Sequence, residues 1–246
     1  MVEEIEKTRS FWNEMSQFGA DASVIDPNDK IGAKNAYIEF IRNNYIAQEL
    51  GHLQPGAKVL DYGCGTGNIT RFVSGLGFDC VGLDIAFELL SLGKEDRNLL
   101  CYDGKTIPFK DNSFDAIVCY VVLNYILDKE YFEKLLKEIH RVLKPGGKFI
   151  AIEQVNRRSR EVSKDNKLQR SSELFTESFM ASSFKLINSY TIRSGHFPLI
   201  YLIRFGLVPP ALFKFIMLLD RLYSSIFSFL PLDYHDTVFR LQKDDT

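Results

Sequence analysis

The residues best suited to chemistry form a glycine-rich turn near the start of the second quarter of the chain. Residues 59–68 read VLDYGCGTGN, so an apolar stretch ends in Asp61 and leads into Gly63, Gly65 and Gly67. Glycines at such positions permit positive φ angles and let a ligand approach the backbone closely. The helix expected to follow would present unpaired N–H groups at its start. The turn is therefore typical of a binding site for a nucleotide-like cofactor.

The spacing of the turn narrows the choice of cofactor. A dinucleotide-binding turn has the pattern G-x-G-x-x-G, but Asn68 occupies the position of its third glycine. The G-K-[ST] ending of a phosphate-binding loop is also absent from this turn. The carboxylate of Asp61 would repel a pyrophosphate and would suit a cationic group such as an amino-acid ammonium. These features point away from NAD and toward S-adenosylmethionine (SAM).

Three further segments follow the turn in a characteristic order. They read VGLD at residues 81–84, CYDG at residues 101–104 and LKPGG at residues 143–147. Together with the glycine-rich turn, this set resembles the class I SAM-dependent methyltransferases, in the group that includes ubiquinone-biosynthesis-like enzymes. The resemblance covers residues 57–154 and is specific as a set, although each piece alone would be weak.

The resemblance implies SAM as the cofactor and assigns residues to it. Asp84 would accept hydrogen bonds from the vicinal ribose hydroxyls, and Asp103 would accept one from the adenine amino group. In this family the N-terminal helices often cover the cofactor, so Lys34, Tyr37 and Arg42 are candidates to reach its carboxylate. No metal is expected, and the predicted cofactor-binding set is Asp61, Gly63, Cys64, Gly65, Asp84, Ile85, Asp103, Gly104 and Tyr120.

Each of the three acids also has a purely structural explanation. Asp61 could cap the turn that follows it, because aspartate accepts backbone hydrogen bonds in loops. Asp84 could be the N-cap of a helix that begins at Ala86. Asp103 could be a turn residue before Gly104. The complete set of motifs favours the cofactor roles for all three.

The elements that position these residues alternate between strands and helices. Such alternation predicts an α/β fold with a parallel sheet covered on both faces. The resemblance implies a Rossmann-like, seven-stranded sheet whose last strand is antiparallel. Apolar strands are predicted at residues 58–61, 79–84, 98–102, 114–120 and 148–153, and residues 184–193 and 236–241 would supply the final two.

Helical and polar segments surround this predicted core. Residues 1–56 have a helical pattern and are expected to form a lid on a SAM-binding domain of residues 57–246. Residues 155–175 are polar and predict a solvated loop. Residues 197–232 are very apolar, but charges and two prolines interrupt them before the ~20 residues of a membrane span. A helical cap insertion at residues 195–233 is predicted to line an acceptor pocket, with a dimer interface or a membrane-surface contact as alternatives.

No residue is predicted as a definite catalytic base. Transfer of a methyl group from a sulfonium is an in-line displacement, so the protein mainly aligns donor and acceptor and excludes water. The acceptor is expected at the carboxyl ends of strands four and five. Tyr120 and Asn124 are candidates to orient it, and Glu153, His196 and His235 are candidates for proton removal.

Composition limits the class of partner. The chain has 246 residues with 30 basic and 32 acidic side chains, so its net charge is -2 and it lacks the basic excess of a nucleic-acid-binding protein. Its four cysteines form no CxxC pair and are expected to be buried and reduced. Residues 1–7 are acidic and carry no apolar signal region, which predicts a cytoplasmic location.

These observations predict a methyltransferase, monomeric or homodimeric, that acts on a small acceptor of lipid-like or glycan-related chemistry. Two alternatives stay open. One is a SAM-binding regulatory protein without turnover. The other is a methyltransferase of protein or nucleic acid, although the [DN]-P-P-[YF] and Pro-Cys signatures of base methylation are absent. A dehydrogenase is disfavoured by Asn68.

Overall fold

Helices and strands alternate along most of the chain in the computed structural model, which describes residues 2–19, 26–93, 98–156, 162–164, 167–227 and 234–244. The helices are α1 (Val2–Met15), α2 (Ala33–Leu50), α3 (Asn68–Gly75), α4 (Phe87–Leu92), α5 (Lys129–Val142), α6 (Ser172–Ala181), α7 (Ile200–Arg204) and α8 (Phe213–Ile226). The strands are β1 (Lys58–Tyr62), β2 (Asp79–Asp84), β3 (Leu99–Cys101), β4 (Phe114–Tyr120), β5 (Leu143–Val155), β6 (Val162–Lys164), β7 (Lys167–Gln169), β8 (Phe184–Ser194) and β9 (His235–Lys243).

The centre of the fold is a seven-stranded sheet in the order β3-β2-β1-β4-β5-β9-β8. Strands β1 to β5 pair in parallel, and β9 is antiparallel to both β5 and β8. This topology confirms the predicted Rossmann-like α/β sheet with an antiparallel last strand. The strand order reverses direction beside β1 and β4, and sheets of this kind bind ligands at such a switch point.

Apolar side chains cover both faces of the sheet. In β4, Ile117 and Cys119 belong to a cluster that also contains residues of α5 and α6. Ala116 and Val118, which alternate with them along the strand, belong to a second cluster with residues of α2, α3, α7 and α8. A strand that is buried on both faces reads as an uninterrupted apolar run, which explains why these strands were recognisable in the sequence.

The polar segment after β5 differs from the predicted solvated loop. The end of β5, the antiparallel pair β6 and β7, and the start of α6 occupy most of it. Arg170 is buried, and its guanidinium donates to the carbonyls of Leu123 and Ile126 at 2.9 and 2.7 Å. It also lies 4.1 Å from the centre of the Phe132 ring. An arginine with carbonyl and aromatic partners can be buried, so the charge of this segment did not predict its exposure to solvent. The charged residues of this segment that lie outside the described residues are Arg157, Arg158, Arg160, Glu161 and Asp165.

The predicted apolar insertion is present between β8 and β9 as α7 and α8. Both helices pack on α2, where Phe213 contacts the rings of Tyr37 and Phe40 with centroids 5.2 and 5.8 Å apart. Across the residues with described structure, no helix combines the length and the apolar character needed to cross a membrane.

Asp220 of α8 is a carboxyl group buried in this apolar contact. Its Oδ1 accepts hydrogen bonds from the Ser194 N–H at 3.1 Å and from the Ser224 hydroxyl at 3.4 Å. Within the described part of the chain, its Oδ2 and the Tyr37 hydroxyl have no partner with hydrogen-bond geometry. Burial raises the pKa of Asp220 to about 7.

We expect an Asp220→Asn variant to gain stability relative to the wild type as the pH rises from about 5 to about 8. The pKa of the folded carboxyl lies above its unfolded value, so ionisation costs stability across this interval, by at most about 1.4 kcal/mol per pH unit. Urea unfolding at several pH values measures the difference. Glu133→Gln, an exposed change on α5, serves as the control. A difference between Asp220→Asn and wild type that does not vary with pH would contradict the prediction.

Candidate functional site

A cavity lies at the carboxyl ends of the central strands, and its empty space, including the part open to solvent, is about 900 Å³. Tyr62, Asp84 and Tyr120 line it from the ends of β1, β2 and β4. Trp12 of α1 and Arg42 of α2 line it from the N-terminal helices. The cavity therefore occupies the switch point of the sheet. Its other lining residues are Thr8, Gly63, Cys64, Gly65, Thr66, Asn68, Ile69, Leu83, Ile85, Leu89, Tyr102, Val121, Val122, Tyr125, Ile126 and Tyr131.

The glycine-rich turn forms one wall of this cavity. Gly63, Gly65 and Gly67 all have positive φ angles, of 73°, 54° and 80°. The N–H of Gly63 donates to the Leu83 carbonyl at 2.8 Å, which joins the turn to the end of β2. A Cβ atom on Gly63 would lie only 2.3 Å from Cγ2 of Val122. Glycine is required at position 63 both by its φ angle and by the close approach of the loop after β4.

We expect a Gly63→Ala variant to lose about 3 kcal/mol of unfolding free energy, from the positive φ and from overpacking against Val122. Gly77→Ala is a matched control, because Gly77 has a φ of 91° but nothing within 4 Å of an added Cβ atom. It should lose only about 1–2 kcal/mol. Adding Val122→Ala to Gly63→Ala should restore part of the loss. Urea unfolding measures the unfolding free energy of each variant. Equal losses of unfolding free energy at positions 63 and 77 would refute the packing argument.

Asp84 lines the cavity and links the glycine-rich turn to the residues after β2. Helix α4 begins at Phe87 with Ala86 as its N-cap, so the prediction of Asp84 as the N-cap was wrong. The Oδ2 atom of Asp84 accepts from the Gly65 N–H and its Oδ1 from the Ala86 N–H, both at 2.8 Å. Burial raises its pKa. Each carboxylate oxygen has two lone pairs, so the group can accept further hydrogen bonds from a ligand. The hydrogen bonds from Gly65 and Ala86 are therefore compatible with the cofactor-binding role of Asp84, which stays a prediction.

Asp61 lies beneath the turn and does not line the cavity. It is buried, and its Oδ2 accepts a 2.7 Å hydrogen bond from the Thr70 hydroxyl of α3. Burial raises its pKa to about 6, although the nearby Arg42 charge acts in the opposite direction. This carboxyl group holds α3 on β1, and its contact with a ligand ammonium stays a prediction.

The predicted adenine contact falls outside the cavity lining. The Oδ1 atom of Asp103 accepts from the Lys105 N–H at 2.9 Å, as in a local turn, and its carbonyl accepts from Arg9 at 2.9 Å. The carbonyl of Gly104 accepts from the Tyr131 hydroxyl at 2.8 Å. In this structure Asp103 and Gly104 support the loop behind the cavity, and a direct ligand contact by either one stays a prediction.

Several residues that line the cavity were absent from the predicted set. Tyr62 and Tyr102 share a 2.7 Å contact between their hydroxyl oxygens. Trp12 meets the ring of Tyr125 with centroids 4.8 Å apart. Helical spacing predicted a helix around Trp12, but no local signal indicates which face of that helix meets the sheet. Of the three N-terminal candidates, Arg42 alone lines the cavity in the described structure.

Tyr120 is the candidate for acceptor contact that the structure brings to the cavity. The Arg42 guanidinium carbon lies 5.3 Å from the centre of its ring. Burial raises its pKa well above the ordinary value, so its phenol is a poor base at neutral pH.

The other four candidates for acceptor contact do not line the cavity. Asn124 is fully buried and donates from Nδ2 to the Gln154 carbonyl at 2.8 Å, so it is not placed to orient an acceptor there. His196 follows the end of β8 and His235 begins β9. Glu153 lies buried below the loop after β4. The proton-removal roles predicted for these last three have no geometric support.

Glu153 instead holds a strained loop. Its Oε1 accepts from the N–H groups of Val122 and Leu123 at 2.9 and 2.8 Å. The preceding residue, Val121, has a φ of 53°, which is unusual for a β-branched residue. Burial raises the pKa of Glu153 to about 7. Because Val121 and Val122 line the cavity, the carboxyl group shapes the wall without touching a ligand.

Part of the chain is similar in sequence to known methyltransferases. Residues 60–151 match the family described as "Methyltransferase domain". The chain is 40% identical over 102 residues to a demethylmenaquinone methyltransferase of Corynebacterium urealyticum. The aligned segment covers 41% of this chain and 43% of that protein. The chain is 34% identical over 132 residues to the sterol 4-C-methyltransferase strm-1 of Caenorhabditis elegans, covering 50% and 38%. The chain thus spans only about half the length of these relatives, or less.

Solved structures share the fold at low sequence identity. Geranyl diphosphate C-methyltransferase from Streptomyces coelicolor A3(2) superposes with a TM-score of 0.67 at 14% identity, covering 98% of each chain. Phosphoethanolamine N-methyltransferase 2 of Haemonchus contortus superposes with a TM-score of 0.60 at 18% identity, covering 93% of this chain and 60% of that one.

Proposed function

We propose that this chain, whose residues 60–151 match a methyltransferase domain, binds SAM and transfers its methyl group to a small lipophilic acceptor. The observation that carries the proposal is a single cavity lined by both Asp84 and Arg42. The Asp84 carboxylate suits vicinal hydroxyls, and the Arg42 guanidinium suits a carboxylate. SAM carries both groups.

The residues of this chain would bind and align the reactants. SAM, when bound, supplies an electrophilic methyl group on a sulfonium whose leaving group is S-adenosylhomocysteine. Asp84 would accept from the ribose and Arg42 would donate to the carboxylate. Trp12, Tyr120 and Tyr125 would exclude water and give the acceptor an apolar wall. We assign no general base.

A lipophilic acceptor fits the aromatic lining of the cavity. The rings of Trp12, Tyr120 and Tyr125 and the side chains of Val121 and Val122 offer apolar surface beside the proposed cofactor groups. The relatives are named for a demethylmenaquinone, a sterol and geranyl diphosphate, all of which carry large apolar groups. These names support the class of acceptor and leave its identity to experiment.

We also propose that the N-terminal residues 1–56 act as a lid and that residues 195–233 act as a cap. Arg9 of α1 supports the lid, because it donates to the carbonyls of Ile85 at 3.2 Å and Asp103 at 2.9 Å. These polar contacts hold α1 over the cavity without a large buried core. Ligand exchange would require them to open.

An Arg42→Met variant is expected to bind SAM about tenfold more weakly, because a hydrogen bond to a charged group is worth about 1.5–3 kcal/mol. Its affinity for 5′-methylthioadenosine should stay unchanged, since that nucleoside lacks the amino-acid carboxylate. Calorimetry with both ligands makes the comparison, and Lys34→Met on the same helix is the control. Equal losses for both ligands would show that Arg42 acts only through the shape of the cavity.

The function itself is tested by product formation. The purified chain is incubated with methyl-labelled SAM and a panel of lipophilic acceptors that includes prenylated hydroquinones, sterols and prenyl diphosphates. Formation of S-adenosylhomocysteine with a labelled acceptor supports the proposal. Tight SAM binding without product from any acceptor would favour the regulatory alternative. Binding of NAD in place of SAM would overturn the cofactor assignment.

A further inference from the structure

The outer surface of α7 and α8 is unusually apolar. Of the 17 exposed large hydrophobic side chains in the described chain, nine lie between Tyr201 and Ile226. On α8, the side chains of Phe215, Leu218 and Leu222 are 58%, 51% and 57% exposed. Their spacing places them along one stripe of the helix. We call the exposed surface of residues 201–226 the α7–α8 face.

The charges on this face have one sign. The charged residues between positions 197 and 227 are Arg204, Lys214, Asp220 and Arg221. Asp220 is completely buried, whereas Lys214 and Arg221 are exposed. These two basic residues are seven positions apart, so they lie along one edge of the apolar stripe. The whole chain has a net charge of -2, so the basic character is local to this face.

We propose that the α7–α8 face docks on the surface of an anionic lipid membrane. Phe215, Leu218 and Leu222 would enter the boundary between headgroups and acyl chains, and Lys214 and Arg221 would lie against the anionic headgroups. The helix α8 has 14 residues, fewer than the ~20 of a membrane span, so it would lie in the plane of the interface.

A second copy of the chain fits this face less well. A symmetric pair would bring Lys214 and Arg221 of the two copies together, and no exposed acid from the described part of the face would oppose them. Repulsion between like charges disfavours that pairing, whereas anionic lipids satisfy the same groups.

The face is also connected to the cavity. Phe213, on the inner side of α8, packs on Tyr37 and Phe40 of α2. Helix α2 also places Arg42 at the cavity wall. If the proposed function holds, docking would bring the cavity close to acceptors dissolved in the bilayer. The docking itself does not depend on methyl transfer.

The test uses the full chain and vesicles of phosphatidylcholine, alone or mixed with phosphatidylglycerol. We expect sedimentation with the anionic vesicles only, and less of it as salt is added. Two double variants should each lower vesicle binding about tenfold or more. One combines Leu218→Ser with Leu222→Ser, and the other combines Lys214→Glu with Arg221→Glu. Leu76→Ser and Lys137→Glu, exposed positions elsewhere, are the matched controls. Thermal melting and SAM titration without vesicles verify the fold of every variant.

Several outcomes of these vesicle experiments would contradict docking of the α7–α8 face on an anionic membrane. Absence of binding to anionic vesicles, or equal losses in the controls, would overturn the proposal. Equal binding to neutral vesicles would remove the role of the basic residues. A concentration-dependent dimer that Leu218→Glu abolishes, without vesicle binding, would assign the face to a second copy. Failure of methyl transfer alone would leave vesicle binding intact, so the two proposals fail independently.

Discussion

An Asp84→Ala variant is expected to bind SAM at least about a hundredfold more weakly than the wild type. Two hydrogen bonds from ribose hydroxyls to a charged carboxylate would be lost, each worth about 1.5–3 kcal/mol. The substitution would also release the N–H groups of Gly65 and Ala86, which Asp84 now accepts at 2.8 Å. Calorimetric titration with SAM and S-adenosylhomocysteine measures the loss.

Two controls separate ligand contact from turn disruption. Asp84→Asn keeps one acceptor oxygen and should lose less affinity than Asp84→Ala. Asp79→Ala changes an exposed acid at the start of the same strand and should leave affinity unchanged. Affinity for 5′-methylthioadenosine should fall in parallel with that for SAM, because both ligands contain the ribose. A variant Asp84→Ala with wild-type affinity would exclude Asp84 from the cofactor site.

A Glu153→Ala variant is expected to lose about 4 kcal/mol of unfolding free energy. The partly buried N–H of Val122 and the buried N–H of Leu123 would be left without their acceptor, at a cost of about 1–3 kcal/mol each, and a cavity would remain. Because Val122 packs on Gly63, the variant should also bind SAM more weakly. Urea unfolding and calorimetry measure the two effects.

The pH dependence of Glu153→Gln gives a sharper test of the same contact. Glutamine keeps the acceptor oxygen and imitates the protonated acid. Burial raises the pKa of Glu153 from 4.5 to about 7. The wild type should therefore lose stability relative to this variant as the pH rises from about 4.5 to about 7. Glu133→Ala, on the exposed side of α5, should show no such trend. A constant difference between wild type and Glu153→Gln would show that the carboxyl group does not titrate there.

The parts of the fold that sequence could predict are those in which local pattern and burial agree. Buried parallel strands read as apolar runs, and the glycines of the turn carry positive φ angles that few other residues tolerate. Position 84 was likewise predictable, because an acid at the end of β2 follows from the motif. These features depend on neighbours in sequence.

The parts that sequence could not predict depend on tertiary docking. Trp12 reaches the cavity because α1 packs across strand ends more than 40 residues away in sequence. Asn124 was a candidate to orient the acceptor and Glu153 a candidate for proton removal, because both lie near the carboxyl ends of strands. Both side chains are instead buried and bind backbone groups. Arg170 shows the same limit, since its carbonyl partners lie in a distant loop.

Trp12 gives the protein an intrinsic optical reporter. It is the only tryptophan in the sequence, and it lies on α1 at the wall of the cavity, in edge contact with Tyr125. Indole emission shifts with the polarity of its surroundings. A change in fluorescence on adding a ligand would therefore come from this one position. Stopped-flow mixing could then test the proposed opening of α1 in real time, without a label and before any acceptor is known.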